Sequence, residues 1–217
     1  MARITILGPV EEPRPRNAWR SPMRHETLAI PDLVLFTPDI HGDERGTFAE
    51  TFRADCFEAA AGTADFVQDN QSWSKPAGTV RGLHFQVAPS AQGKLVRVLQ
   101  GAIRDVAVDI RVGSETYGEH VAVELSAENW RQLWIPPGFA HGFVTLEPDT
   151  AVAYKVTAHY DAKAERGLAW DDPALGIDWG IDPGEATLSR KDLSWPRLAD
   201  VDTVYFRHEG SEAVSCA

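Results

Sequence analysis

A chain of 217 residues with 21 Lys and Arg against 32 Asp and Glu carries a formal charge of −11. That balance argues against an extended nucleic-acid surface, so an anionic ligand has to be met by a local basic cluster working against the overall field. Seven Trp within an aromatic content of 9% point to an ordered core, in one large all-β domain or two small ones. Cys56 and Cys216 lie far apart and form neither a disulfide framework nor a zinc-type pair. No apolar run approaches transmembrane length, and Met1 to Arg24 lacks the apolar stretch of a signal peptide. A cytoplasmic protein without a membrane partner is expected.

Residues 1–24 hold Pro9, Pro13, Pro15 and Pro22 among scattered charges, which predicts an extended or disordered N-terminal extension. Order is expected from about Leu28, in a body spanning 25–200, with 201–217 as a C-terminal tail. Pro31 to Phe36 is strand-like, and Gly42-Asp43-Glu44-Arg45-Gly46 is a turn signal. Thr47 to Phe52 alternates, with Phe48 and Glu50 on one side. Ala54 to Ala61 is short and Ala-rich, predicting a helix that Gly62 stops.

From Phe66 onward, strand and turn signals recur at short, regular intervals. They predict strands over 66–72, 80–86, 94–100, 102–110, 119–125, 131–135, 140–146 and 151–158. That spacing, without interleaved helices, predicts an antiparallel sandwich or barrel. Beyond Tyr160 the chain is loop-rich, punctuated by Asp172-Pro173 and Asp182-Pro183, with a short terminal helix near Arg197. There is no internal repeat and no sign of a second domain.

Alternation puts His84 and Gln86 on one face of their strand, with Leu83 and Phe85 on the other. A strand of this kind can line a pocket while closing a core. Arg81, Lys94 and Asp105 fall in three consecutive strands, and antiparallel neighbours can bring such groups to one cavity. In Ile103 to Ile110, period two sets Asp105, Ala107 and Asp109 against Val106, Val108 and Ile110. Inward carboxylates need partners, which Lys94 or His84 could supply. For Asp109, a solvent-facing position on a half-buried strand is a reasonable alternative.

Pro136-Pro137-Gly138-Phe139-Ala140-His141 has the spacing P-x-G-x-x-H and resembles the second cupin motif, a turn that aims a histidine into a β-barrel. The first cupin motif would supply two His one residue apart and then a Glu. Here His84 is followed by Gln86, with Lys94 downstream. Two His beside an amide and an ammonium make a poor metal site. The expectation is a cupin-like barrel with no metal or other cofactor, running its chemistry on side chains.

Further motifs sharpen the resemblance: Arg45-Gly46 with Glu50, Gln68-Asp69-Asn70, Arg81 to Gln86, Gln92 to Arg97, Asp105 to Asp109, Trp134-Ile135-Pro136, Gly138 to Phe143, Tyr154-Lys155 and Leu188 to Asp192. In this order they are similar to the dTDP-4-dehydrorhamnose 3,5-epimerase family, over roughly Leu28 to Asp200. The resemblance implies an antiparallel jelly-roll barrel that epimerises a dTDP-4-keto-6-deoxyhexose at C3 and C5 without a cofactor. A C4 ketone acidifies both C–H bonds by delocalising the carbanion as an enolate. His84 would be the base. Asp192 would orient it, Lys94 would stabilise the enolate oxygen, and Tyr154 would return a proton from the opposite face.

The resemblance also gives a substrate-binding set of Arg45, Glu50, Gln68, Asn70, Arg81, Asp105, His141, Glu165 and Lys191, with Tyr160 stacking on thymine. It implies a homodimer, often with exchanged N-terminal strands. His159 stands where many family members carry a second Tyr, which keeps epimerisation at C3 alone or C5 alone as an alternative. More distant readings are a metal-dependent cupin oxygenase using His84 and His141, and a non-catalytic sugar-nucleotide binding module.

Overall fold

The computed structural model describes residues 23–201 and 204–208. In chain order it contains β1 (Arg24–Thr27), β2 (Val34–Thr37), β3 (Ile40–Asp43), β4 (Gly46–Ala49), the helix α1 (Ala54–Ala61), β5 (Gln68–Ser74) and β6 (Val80–Gln86). It continues with β7 (Lys94–Gln100), β8 (Ala102–Asp109), β9 (Arg111–Val112), β10 (His120–Ser126), β11 (Gln132–Ile135), β12 (Phe139–Thr145), β13 (Thr150–Val156), β14 (Glu165–Gly167) and β15 (Phe206–Arg207). A six-stranded sheet in the order β1-β2-β11-β7-β13-β5 faces a five-stranded sheet in the order β10-β8-β12-β6-β14. All pairings within these two sheets are antiparallel. The two packed antiparallel sheets fit the sandwich or barrel that the spacing of strand signals predicts, and the cupin-like jelly roll that the resemblance implies.

Period-two alternation sorts side chains into an interior and two exteriors. Leu35, Val96, Val98, Ile103, Ala107, Leu133, Ile135, Phe143 and Val152 meet between the sheets. On the far side of the five-stranded sheet, Leu83, Phe85, Val106, Val108 and Val144 pack under Leu168, Trp170, Leu175 and Trp179 from the loop-rich tail. Behind the six-stranded sheet, Val34, Phe36, Leu95 and Trp134 are capped by α1, whose Phe57 is its one buried residue. Phe57 stands edge-on to Trp134 at 4.9 Å and stacks on Phe36 at 5.6 Å.

Among the described residues the first strand starts at Arg24, with Met23 already buried, so order is present before Leu28; residues 1–22 of the predicted extension lie outside the described residues. Of the two readings left open for Asp109, the inward one holds: it is fully buried. Both faces of β8 are covered, one by the opposite sheet and one by the tail. The Asp109 carboxylate accepts from Arg111 Nε at 3.0 Å and Arg111 Nη2 at 2.8 Å, and from the hydroxyls of Ser114 and Thr116, each at 2.7 Å. Burial opposes its charge, and these donors outweigh that, so its pKa lies below the ordinary value. Near Arg197 the predicted helix is a single 3-10 turn at Leu198–Asp200, and Tyr205 and Phe206 of the tail pack beside Phe85.

One irregularity positions the site. Between β6 and β12, His84 pairs with His141 and Arg81 with Phe143, so three steps on β6 oppose two on β12. This β-bulge is centred on Gly82, whose φ is +130°. A one-residue insertion reverses the facing of everything beyond it. Arg81 therefore leaves the outward parity of Leu83 and Phe85 and crosses to the opposite sheet, donating to Ser74 Oγ at 3.2 Å and to the Trp73 carbonyl at 3.3 Å. A Cβ at residue 82 would sit 2.5 Å from Gly142 Cα and 2.8 Å from the His141 carbonyl oxygen. Gly82→Ala is expected to destabilise the fold by about 2–3 kcal/mol, as overpacking against backbone does; an unchanged chemical-denaturation midpoint would contradict this account of the bulge.

Candidate active site

The two sheets part between the β5 edge of one and the β6–β14 edge of the other, leaving a cavity of about 300 Å³. Its walls come from both sheets. Gln68 and Asn70 of β5, Lys94 of β7 and Tyr154 of β13 line one side; His84 and Gln86 of β6 and Glu165 of β14 line the other. Tyr154 lies opposite Asn70 and Val96 in register, so its ring packs on the interior core while its hydroxyl reaches the cavity. His84 and Tyr154 thus share one space, contributed by opposite sheets.

His84 Nε2–H donates to Asp192 Oδ1 at 2.5 Å, a pairing across 108 positions of sequence. Asp192 sits in a 3-10 turn of the tail and is 4% exposed. Its second oxygen accepts from Ser189 Oγ at 2.7 Å, while its own N–H donates back to that hydroxyl at 3.1 Å. Burial would raise this carboxyl, but the donors from His84 and Ser189 outweigh it and leave the pKa lowered. An anion held on Nε2–H leaves the imidazole lone pair on Nδ1. Trp195 stands edge-on to His84, with centroids 6.2 Å apart. The missing side chain of Gly167 makes room for that indole, since a Cβ there would lie 2.6 Å from it.

A second imidazole lies deeper. His141 Nε2–H donates to Asp105 Oδ1 at 2.8 Å, and its Nδ1 stands 3.5 Å from Lys94 Nζ. Burial lowers the His141 pKa, with Asp105 opposing and Lys94 and His84 adding to the effect, so this ring is neutral near pH 7. Lys94 Nζ also donates to the His84 carbonyl at 3.2 Å. Burial pulls the Lys94 pKa from 10.5 down to about 8, against the pull of the Asp105 and Glu165 carboxylates. Tyr154 moves the other way: burial raises its pKa, although Arg81 opposes that, so the phenol keeps its proton.

At the mouth, Glu165 accepts from Lys191 Nζ at 2.8 Å and from the Tyr160 hydroxyl at 3.0 Å. Tyr160 is 56% exposed, and its backbone N–H donates to Gln68 Oε1 at 3.0 Å. Gln68 Nε2–H in turn donates to Asn70 Oδ1 at 2.7 Å. Gln86 is spent on the loops: it donates to the carbonyls of Ser90 and His159 and accepts from the Asp161 N–H.

Most of the expected residues therefore line the cavity or touch a residue that does; Arg81 does not line it and is bonded instead to Ser74 and the Trp73 carbonyl, and three more stand back from it. Asp105 is fully buried behind His141 and does not reach the cavity wall as a substrate contact would. Arg45 and Glu50 stand apart from the cavity, at and just beyond the β3–β4 hairpin. Arg45 Nε donates to Asp43 Oδ2 at 3.0 Å, and Glu50 lies 3.4 Å from Arg53. Ser189 and Trp195 join the site without having been singled out as site residues. Ser189 lies in a recognised motif but contributes a hydroxyl of no distinctive spacing, and Trp195 had no signal. Among the described residues, no group of three or more His, Cys, Asp and Glu side chains is arranged to hold a metal ion; His84 and His141 are each engaged by a carboxylate.

The family profile described as dTDP-4-dehydrorhamnose 3,5-epimerase matches residues 27–200. The chain belongs to the dTDP-4-dehydrorhamnose 3,5-epimerase family. It is 54% identical over 181 residues to the dTDP-4-dehydrorhamnose 3,5-epimerase of Sinorhizobium fredii, covering 82% of this chain and 91% of that one. A solved dTDP-6-deoxy-D-glucose-3,5-epimerase of Legionella pneumophila, in complex with dTDP-4-keto-L-rhamnose, superposes with a TM-score of 0.82 at 46% identity, covering 86% of this chain and 99% of that one. A 3′-monoepimerase of Streptomyces bikiniensis in complex with dTDP-quinovose is also similar, at 34% identity and a TM-score of 0.74, covering 79% and 86%. No described helix is long and apolar enough to cross a membrane.

Proposed function

We propose that this chain inverts C3 and C5 of dTDP-4-dehydro-6-deoxyglucose to give dTDP-4-dehydrorhamnose, by proton transfer through enolates of the C4 ketone. The observation that carries the reading is the shared cavity: an imidazole paired to a carboxylate on one sheet, and a protonated phenol and an ammonium on the facing sheet, in a chain of this family. His84 removes the carbon-bound proton through Nδ1, and Asp192 stabilises the imidazolium that forms. Charge then develops on the carbonyl oxygen, where Lys94 opposes it in a largely buried position. Tyr154, whose pKa is raised by burial, delivers a proton from the opposite face of the ring. The tyrosinate left behind is offset by the Arg81 guanidinium until protons re-equilibrate.

A cavity of about 300 Å³ suits the sugar ring, with the nucleotide lying across the open mouth. There Tyr160 offers an exposed ring to the base, while Gln68, Asn70, Glu165 and Lys191 offer hydrogen bonds. Arg81 and Lys191 supply positive charge for a diphosphate. The β3–β4 hairpin exposes Ile40 and Phe48, the latter at 66%, beside Arg45 and Glu50. An exposed hairpin bearing both ligand-type charges and apolar side chains suits delivery to a second copy's cavity. We infer a homodimer on that basis, with a cytoplasmic location where sugar nucleotides are made.

Incubating the protein with dTDP-4-keto-6-deoxyglucose in D₂O should wash deuterium into both C3 and C5. Label at one carbon only would favour the mono-epimerase reading, and label at neither would refute an epimerase. His84→Ala and Tyr154→Phe should each lower kcat by about 10²-fold or more while the protein stays folded. On the alkaline side, kcat/KM should fall through pH about 8, because Lys94 is required as the cation and loses its proton there as pH rises. Lys94→Arg, which stays charged, should lack that limb; persistence of the limb in this variant would assign it to another group. Light scattering should report a dimer, and a monomer at micromolar concentration would remove the hairpin from the site.

A further inference from the structure

The two fully buried carboxylates of β8 are treated differently by their surroundings. Asp109 is hydrogen-bonded on both oxygens, by Arg111, Ser114 and Thr116. Asp105 uses Oδ1 on His141, while its Oδ2 is buried without a partner. An orphaned buried oxygen costs on the order of 1–3 kcal/mol, so a role confined to stability accounts poorly for it. Asp105 has no exposed surface and cannot touch a substrate. Its charge acts on Lys94 at a distance, and its one hydrogen bond toward the site runs through His141.

The His141 ring has two nitrogens with opposite jobs. Nε2 faces the carboxylate, which accepts only, so it must carry the hydrogen. Nδ1 is then bare, and it is the atom that faces Lys94 Nζ at 3.5 Å. The other tautomer would set an N–H against an ammonium, donor against donor. An ammonium has three N–H groups. One donates to the His84 carbonyl at 3.2 Å, and His141 Nδ1 is placed to accept a second. With two directions tied to the protein, the third is aimed at the cavity that Lys94 lines. The contact to Nδ1 is long without substrate, as such contacts commonly are before the reacting complex forms.

We propose that Asp105 is a positioning residue for the epimerisation: it holds His141 as the Nε2–H tautomer, whose bare Nδ1 fixes the Lys94 ammonium so that one N–H points at the reacting carbonyl oxygen. The inference rests on the reading of Lys94 as the group that stabilises the enolate. It places an anion, a neutral relay and a cation in a line running from the interior of the barrel to the cavity. His84 and Asp192 form a separate pair with a separate task. The carboxylate therefore acts on charge stabilisation, not on proton abstraction.

The direct measurement is the tautomer of His141 in the wild-type protein, by ¹⁵N spectroscopy of histidine-labelled enzyme, with the signal assigned through His141→Asn. An Nε2–H, bare-Nδ1 ring is expected; an Nδ1–H ring overturns the proposal. The kinetic measurement is Asp105→Asn, whose amide can donate to Nε2 and so reverse the tautomer. It should lower kcat by about 10²-fold with KM within about twofold, comparable to the loss of an oxyanion donor. In a Lys94→Met background the same substitution should cost nothing further, because its effect is transmitted through Lys94. An equal loss in both backgrounds, or a rise in KM with kcat unchanged, overturns the proposal. Should Asp105→Asn fail to fold, the wild-type tautomer still decides. Lys94→Met with undiminished kcat would instead remove the reading of Lys94 itself, an outcome distinct from failure of the relay alone.

Discussion

Two imidazoles, each backed by a buried carboxylate, are the constraint around which the rest is arranged. Asp192 reaches His84 from the tail, and Asp105 reaches His141 from the neighbouring strand. A carboxylate in the interior is tolerable only with a donor in contact, and in a poorly polarisable setting that contact is worth more than it would be in water. The identity of each basic nitrogen therefore follows from where the anions lie, and the cavity is built on their far side.

Charge is distributed unevenly for the same reason. A chain with a net charge of −11 repels a nucleotide diphosphate at long range, so attraction has to be local. Arg81 and Lys191 come from β6 and from the tail, and both act electrostatically on Tyr154 only because the sheets and the tail close on one another. Glu165 partly neutralises Lys191 with one oxygen and accepts from the Tyr160 hydroxyl with the other. Lys94 is tuned differently: burial weakens its hold on the proton, and the nearby carboxylates limit the loss.

Strand positions were legible because alternation is a local property. The run Lys94 to Gln100, the run Val80 to Gln86 and the helix Ala54 to Ala61 appear where the pattern puts them. The facing of Asp105, Ala107 and Asp109 against Val106 and Val108 was legible too. Whether Asp109 faces inward or to solvent was left open because the pattern gives faces but not what covers them; the tail's Trp170 and Trp179 are distant in sequence. Arg81 shows the opposite failure. Its parity with Leu83 and Phe85 points outward, and only the bulge at Gly82 turns it in. Motif similarity placed it in the site, where alternation alone would have excluded it.

Residue order alone determined the strands, their polar and apolar faces, and the short list of groups able to move a proton, because each depends on neighbours within a few positions. Tertiary structure decided which of those groups meet. The approach of His84 to Asp192, and of Arg81 to Ser74 on the facing sheet, is set by sheet closure and by one glycine bulge. It also decided that Arg45 and Glu50 stand apart from this cavity on an exposed hairpin. Contacts across sheets carry no periodic trace, since the distance between two side chains in space is independent of the number of residues between them.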